Sequence, residues 1–182
     1  ILKLMRRRYL TGYYRDLIHA IKEEIPEAGI GADVIVGFPG ETEALFERTY
    51  LFLVDLPVSY LHVFSYSERE NTAAIRLPGA VDPTVRARRS EMLRILSAKK
   101  RHQFYQGFVD RTVPVLMEGT IEGDRRIGHT SHYVRVGVPA YSVEENDIVD
   151  VRITGVVDEL CVGVVAQGHE MENRETLLEA VG

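Results

Sequence analysis

The sequence contains a single cysteine, Cys161, and no tryptophan among its 182 residues. One cysteine excludes a disulfide within the chain and any motif built from several cysteines. Because several thiolates normally hold an iron–sulfur cluster, this chain is not expected to hold one by itself. Cys161 stands between Leu160 and Val162, and is predicted to be a small buried apolar residue.

Long apolar runs are also missing. No stretch is long enough to cross a membrane, and no segment resembles a signal peptide. A cytoplasmic protein without a membrane partner is therefore expected.

Charge is distributed unevenly along a chain whose net charge is −5. Residues 1–107 carry 16 Lys and Arg against 13 Asp and Glu, a net of +3. Residues 108–182 carry 6 against 14, a net of −8. This shift predicts a domain boundary near Gly107, followed by an acidic tail over residues 169–182.

The first part of the chain alternates between helical and strand patterns, as an α/β fold requires. A helix is predicted between Thr11, as its cap, and Pro26. Residues 30–36 are apolar and mostly β-branched, which predicts a parallel strand buried on both faces. Further elements are predicted as a helix over 43–54 capped by Thr42, a strand over 60–67, and a helix from Asp82-Pro83 to Tyr105.

From Arg111 onward the pattern changes to short strands separated by turn residues. This pattern predicts a small antiparallel β-barrel of OB-like type over residues 108–168. Its strands are predicted at residues 112–117, 127–138, 148–157 and 160–165.

The most informative stretch is Asp33-Val-Ile-Val-Gly-Phe-Pro-Gly-Glu-Thr42. A strand, a glycine turn and a helix N-terminus follow one another there, which can offer backbone N–H groups and a positive helix end to a polar ligand. The alternative is that the turn needs glycine only in order to fold. The residues by themselves leave both readings open.

Four motifs fall in the order of one known family. They are LKLMRRRYL, GADVIVGFPGETEALF, LHVFSYSERENTAA and GHTSHYVRV, spread over roughly residues 1–165. Together they resemble the radical S-adenosylmethionine methylthiotransferases, and most of all the enzymes that modify threonylcarbamoyladenosine in tRNA. The resemblance implies that residues 1–107 form the last third of a radical-SAM barrel, and that residues 108–168 form a TRAM domain. The chain would then be a C-terminal portion of such an enzyme.

The same resemblance implies S-adenosylmethionine and two four-iron clusters as cofactors. In that family the first cluster, on a CxxxCxxC loop, cleaves S-adenosylmethionine to a radical, and the second delivers sulfur. Neither cysteine set occurs here, so no catalytic residue is assigned and the chain is expected to be inactive alone. The residues predicted to bind S-adenosylmethionine are Gly37, Pro39, Gly40, Glu41, Phe64, Tyr66 and Arg8. Phe64 and Tyr66 could instead be core residues. Arg8 could instead be a solvated residue at a helix start, and the sequence does not distinguish it from Arg6 and Arg7 as the arginine that pairs with the cofactor carboxylate.

Two segments could contact RNA, and tRNA is the predicted partner. The helix over residues 84–103 holds seven Lys and Arg against one acid, which fits either a phosphate-binding face or an ordinary solvated face. In the barrel, positive and aromatic side chains alternate as in RNA-contacting strands. These residues are Arg125, Arg126, His129, His132, Tyr133 and Arg135.

The leading functional hypothesis is therefore that the chain is the C-terminal part of a tRNA methylthiotransferase. The alternatives are a methylthiotransferase that acts on a ribosomal protein, and a non-catalytic RNA-binding module. Because two strands cannot close a barrel, exposed strand edges and self-association are also expected.

Overall fold

The structure is a computed structural model that describes residues 1–166. The chain divides into two compact units, Ile1–Arg101 and His102–Gly182, so the division falls within the third helix. The domain boundary at Gly107 stays a prediction, and the predicted acidic tail lies outside the described residues. The elements, in chain order, are α1 Thr11–Glu24, β1 Gly31–Val36, α2 Glu43–Asp55, β2 Tyr60–Ser65, α3 Pro83–Gln106, β3 Thr112–Glu122, β4 Arg125–His129, β5 Arg135–Pro139, β6 Ile148–Val157 and β7 Leu160–Val165.

The first unit contains a two-stranded parallel sheet, β1–β2, in which Gly31 pairs with Tyr60 and Val36 with Ser65. One face of this sheet packs on the helices through a core to which α1, α2 and α3 all contribute. The other face, which we call the open sheet face, carries Asp33, Ile35, His62 and Phe64, all exposed. The prediction that β1 is buried on both faces is wrong, because the helices of this unit cover only one side of the sheet.

The helix starts follow local side-chain chemistry in two of three cases. Thr42 Oγ1 accepts a hydrogen bond from the Leu45 N–H at 3.3 Å, which confirms the predicted cap of α2. Asp82 Oδ1 accepts one from the N–H two residues later, at 2.8 Å, at the start of α3. The predicted cap of α1 is wrong: Thr11 is already helical, Leu10 occupies the capping position, and no side chain bonds there.

The second unit is a closed five-stranded barrel with the strand order β3-β4-β5-β7-β6, consistent with an OB-like domain. Inward-pointing residues such as Val115, Val136 and Ile153 are fully buried, and Cys161 is buried among them as predicted. The barrel is not wholly antiparallel, because β5 and β7 pair in parallel through Val136 and Cys161.

The predicted strand over residues 127–138 is two strands, β4 and β5, with a tight turn between them. Thr130 Oγ1 accepts hydrogen bonds from the N–H groups of His132 and Val134, which ends the β4 ladder. In contrast, β3 extends five residues beyond its predicted end at Met117. This length lets β3 pair with both β4 and β6, which closes the barrel.

In the part of the chain that the structure describes, no helix has the length and apolar character that crossing a membrane requires.

Candidate functional site

The turn after β1 contains two glycines in the left-handed backbone region, Gly37 with φ 75° and Gly40 with φ 88°. A Cβ on Gly37 would lie 2.3 Å from Cγ of Arg86, so packing as well as backbone conformation requires glycine there. A Cβ on Gly40 would meet only Cδ1 of Leu4, at 3.5 Å. Packing therefore excludes a side chain at Gly37 but not at Gly40, where a Cβ would be in ordinary van der Waals contact with Leu4.

The backbone N–H groups of this turn already have partners inside the protein. Gly37 donates to Glu41 Oε2 at 2.7 Å, Gly40 donates to the Gly79 carbonyl at 2.8 Å, and Glu41 donates to the Phe38 carbonyl at 2.9 Å. These three N–H groups are therefore used within the fold, which agrees with the reading that the glycines serve folding, while the cofactor reading stays a prediction. A ligand at the turn would have to be held by other groups, such as carbonyl oxygens and neighbouring side chains.

Glu41 links the turn to α3 through a buried ion pair. Its Oε2 lies 2.7 Å from Nη1 of Arg89, and the two side chains are only 4% and 3% exposed. Arg89 also donates to the Glu41 carbonyl at 3.0 Å and to Glu43 Oε2 at 2.9 Å, and lies over the ring of Phe46 at 5.1 Å. Buried charges need this degree of pairing to be tolerated, so Glu41 and Arg89 depend on each other.

A second arginine of α3 holds the end of β2. Arg86 donates to the Tyr66 carbonyl at 2.9 Å and pairs with Glu68 at 2.5 Å. The hydrogen bond from Arg86 lowers the pKa of Glu68, and the same bond raises the pKa of Arg86. The ring of Tyr66 packs edge-on against Phe38, and its hydroxyl is buried without a partner among the described residues. Buried hydroxyls normally have a hydrogen-bond partner, and either a water molecule or a polar group of a ligand would satisfy this one.

The remaining predicted cofactor residues are less closely grouped. Pro39 is buried in the turn, and Tyr66 adjoins it because its N–H donates to the Val36 carbonyl at 2.8 Å. Phe64 lies on the open sheet face and is 52% exposed, and Arg8 is exposed in the segment before α1. The structure thus brings together the turn and Tyr66, while the cofactor roles of all these residues stay predictions.

The basic face predicted on α3 is mostly used within the fold. Arg86 and Arg89 are buried in ion pairs, and Arg88 donates twice to Glu43 at 2.8 and 2.9 Å. Lys100 donates to two carbonyls at the end of α2, at 3.0 and 2.7 Å, and burial lowers its pKa. Arg101 lies over the ring of Tyr60 at 5.5 Å, so at least five of the seven cations have partners within the first unit. These contacts favour a structural role for the cations over a phosphate-binding face. Nothing in the sequence pattern pairs Arg86 and Arg89 with their acids.

Several predicted RNA-contacting residues of the barrel are engaged with β3. Arg126 donates to the Glu118 carbonyl at 3.1 Å, while its Nε is buried without a partner in the described structure. His129 Nδ1 lies 2.7 Å from the Glu118 carboxylate, and Arg135 pairs with Glu122. These acids offset much of the positive charge on this face.

The aromatic side chains of the barrel differ in their exposure. Tyr133 is 81% exposed and has φ 59°, so the tight turn presents its ring to solvent. His132 instead packs against the ring of Phe108, with 6.0 Å between ring centroids. Tyr141, which the sequence reasoning missed, is 93% exposed in the segment after β5. Its exposure could not be inferred, because only its position after a turn distinguishes it in the sequence.

Metal-binding side chains are not grouped together in the part of the chain that the structure describes. Within residues 1–166, no group of three or more His, Cys, Asp or Glu is placed to hold a metal ion. Burial also raises the pKa of the Cys161 thiol to about 12, so this cysteine stays protonated inside the barrel.

Comparison with known proteins gives sequence relatives but no matching protein-family model. A threonylcarbamoyladenosine tRNA methylthiotransferase of Aquifex aeolicus is 37% identical over 141 residues, covering 78% of this chain and 33% of that protein. A tRNA-2-methylthio-N(6)-dimethylallyladenosine synthase of Bacillus pumilus is 38% identical over 85% of this chain and 31% of its own length. A ribosomal protein uS12 methylthiotransferase of Thermotoga sp. is 38% identical over 71% and 30%. The chain thus spans about a third of the curated relatives it matches.

Among solved structures, a multidomain protein with nucleic acid binding domains from Streptococcus pneumoniae shares 12% identity over 44% of this chain and 35% of its own. The TM-score of 0.28 is too low to indicate a common fold.

Proposed function

The chain belongs to the radical S-adenosylmethionine methylthiotransferase family, and we propose that it forms the C-terminal part of an enzyme that methylthiolates an adenosine in tRNA. The observation that carries this proposal is the match to methylthiotransferases along three quarters or more of the chain. We propose threonylcarbamoyladenosine next to the anticodon as the substrate, because relatives from Aquifex, Bacillus and Rickettsia are named for it. The enzyme would work in the cytoplasm, where its tRNA substrate is found.

In this proposal the first unit contributes to the S-adenosylmethionine site. The room for a Cβ at Gly40, limited only by the side chain of Leu4, and the buried hydroxyl of Tyr66 support a ligand at this end of the sheet. Glu41 would act by holding the turn in place, because its carboxylate is occupied by Gly37 and Arg89. S-adenosylmethionine would supply the radical chemistry and the methyl group when bound. In this proposal Gly37, Pro39 and Glu41 shape the turn, and Gly40, Phe64, Tyr66 and Arg8 would contact the cofactor. The ligands of both iron–sulfur clusters would lie outside this chain.

The cofactor part of the proposal can be tested in the complete enzyme with Gly40→Ala. The added methyl group would lie beside Leu4, where we propose that the cofactor approaches the turn, so S-adenosylmethionine should bind more weakly by about 1–3 kcal/mol. Gly123→Ala in the barrel is the matched control, since it has φ 61° and a Cβ there meets nothing within 4 Å. Both variants place an alanine at positive φ, and the backbone strain is larger at Gly40, with φ 88°, than at Gly123, so a melting curve of each variant accompanies the titration. Unchanged cofactor affinity by calorimetric titration of a folded Gly40→Ala enzyme would remove this role from the turn.

The barrel would contact the tRNA. Exposed Tyr133 and the cations around it support local contact through stacking and guanidinium groups. The acids that pair with His129 and Arg135 argue against a broad electrostatic footprint. The full set proposed for RNA contact is Arg125, Arg126, His129, His132, Tyr133 and Arg135.

The substrate can be tested by expressing the complete enzyme in cells that lack their own tRNA methylthiotransferase. Nucleosides released from the tRNA should then contain the methylthio form of threonylcarbamoyladenosine, detected by mass spectrometry. The second candidate substrate is a ribosomal protein, favoured by the 38% identity to the Thermotoga enzyme. A mass increase on that protein with unmodified tRNA would replace the tRNA assignment with this one.

A further inference from the structure

The barrel carries a groove of about 410 Å³ on its outer surface. One wall comes from the β3–β4 turn with Glu122 and Arg125, and the other from the β6–β7 turn with Val157 and Asp158. The groove volume lies in the range of about 300–1,000 Å³ that is typical of small-ligand sites. Both walls are short hairpin turns, so the shape of the groove is set by the barrel itself.

The floor of the groove depends on a missing side chain. Gly137 lies on β5, and a Cβ there would come within 3.0 Å of Leu160 and 3.3 Å of Arg125. The absence of that Cβ lets the leucine side chain and the arginine stem lie across the strand. Leu160 and Val162 then provide an apolar surface between the charged walls.

The charges of the groove have both signs. Arg135 is paired with Glu122, whereas Arg125, whose side chain is 35% exposed, has only a distant ion pair with exposed Asp124 at 3.9 Å. Asp158 stands in the other wall of the groove. A phosphate would be repelled by the carboxylates, so the groove is poorly suited to the RNA backbone. A flat ring with acceptors on one edge and donors on another would match Arg125, Asp158 and the apolar floor together.

Guanine is the base with this pattern. Its O6 and N7 accept from an arginine fork, and its N1–H and amino group donate to a carboxylate. Single-stranded RNA is recognised through such unstacked bases, whereas bases in a helix keep these edges paired. We propose that the groove between the β3–β4 and β6–β7 turns binds one unstacked guanine base of a single-stranded RNA segment. This proposal rests on the RNA contact proposed above and assigns it a specific pocket.

The position of the groove agrees with its proposed use. In barrels of this type, the turns between the first and second and between the fourth and fifth strands border the oligonucleotide-binding face. Here these turns are β3–β4 and β6–β7, the two walls of the groove. The agreement is a fold-level analogy and adds to the chemical argument without replacing it.

The test uses this chain and two RNA hairpins with the same stem, one with guanosines in its loop and one with adenosines in their place. Fluorescence anisotropy should show tighter binding of the guanosine loop. Arg125→Met keeps most of the stem but removes the guanidinium, and should weaken that binding on the order of ten-fold with little change for the adenosine loop. Arg152→Met is the matched control, since it removes one exposed cation from β6, outside the groove.

A second variant, Asp158→Asn, removes a carboxylate while keeping a residue type that tolerates φ 52°. It should also reduce the preference for the guanosine loop, and it decides the matter if Arg125→Met does not fold. Equal weakening of both loops by Arg125→Met, with a shallower salt dependence, would indicate a phosphate contact and overturn the guanine site. Binding without any preference between the loops would also overturn it while leaving RNA contact intact. A chain that binds neither hairpin would overturn both this site and the RNA contact proposed for the barrel.

Discussion

Replacing Arg89 with methionine should destabilise the first unit strongly. The change would leave the Glu41 carboxylate, 4% exposed, without its cation. Removing one partner of a buried ion pair typically costs about 3–5 kcal/mol, because the remaining charge stays desolvated. Whole domains are stable by only about 5–15 kcal/mol, so this loss would be a large share of the total.

Arg88→Met is the matched control for this prediction. Arg88 bonds to Glu43, as Arg89 does, but the Arg88 and Glu43 side chains are 56% and 58% exposed. Water can solvate both groups after the change, so only a small effect is expected. Glu41→Gln should be milder than Arg89→Met, since an amide oxygen can still accept from the Gly37 N–H. Combining Glu41→Gln with Arg89→Met should cost less than the sum of the two.

Two assays check this prediction. Urea unfolding gives the stability of each variant, and hydrogen exchange with mass spectrometry of peptides shows which segments lose protection. In Arg89→Met, amides of the Gly37–Glu41 turn and of the first half of α3 should exchange faster. Barrel peptides from residues 112–165 should keep their protection, because the pair lies within the first unit. If Arg89→Met and Arg88→Met shift the unfolding midpoint equally, the buried pair does not hold the turn and the reasoning fails.

Three further predictions concern acid stability, thiol reactivity and assembly. Folding lowers the pKa of Glu68 below its ordinary value of 4.5 through the bond from Arg86, so the folded chain binds fewer protons. The stability that this bond contributes is present above the ordinary pKa and is lost as pH falls through the lowered pKa. Urea unfolding midpoints measured against pH should show this loss. In Glu68→Gln the same pH dependence should be absent. Cys161, with a pKa of about 12 and complete burial, should react with iodoacetamide only after unfolding, and rapid labelling of the folded chain by mass spectrometry would contradict its placement. Because Phe64 is 52% exposed on the open sheet face, the chain should self-associate in light scattering and Phe64→Ser should reduce this; a monomeric wild-type chain at high concentration would refute it.

Local patterns in the sequence were sufficient for most helices and strands and for the family. Thr42 predicted the start of α2 because a capping residue acts on the next turn of its own helix. The change to short segments bounded by turn residues predicted the strand β3, and the alternate burial of Val113, Val115 and Met117 agrees with side chains of a strand pointing to opposite faces in turn. The residues and the order of four short motifs predicted the family, because both can be read directly from the chain.

Only the tertiary structure decided which of these residues meet. Glu41 and Arg89 are 48 positions apart, and their pairing depends on how α3 packs beside the turn. The same packing buries Arg86 and Arg89 in ion pairs and places Lys100 against the carbonyls at the end of α2. The parallel pairing of β5 with β7 and the groove beside Gly137 likewise come from strands that are distant in sequence. Periodicity reports the environment along one element, whereas these contacts depend on the register and packing between elements, which no local pattern specifies.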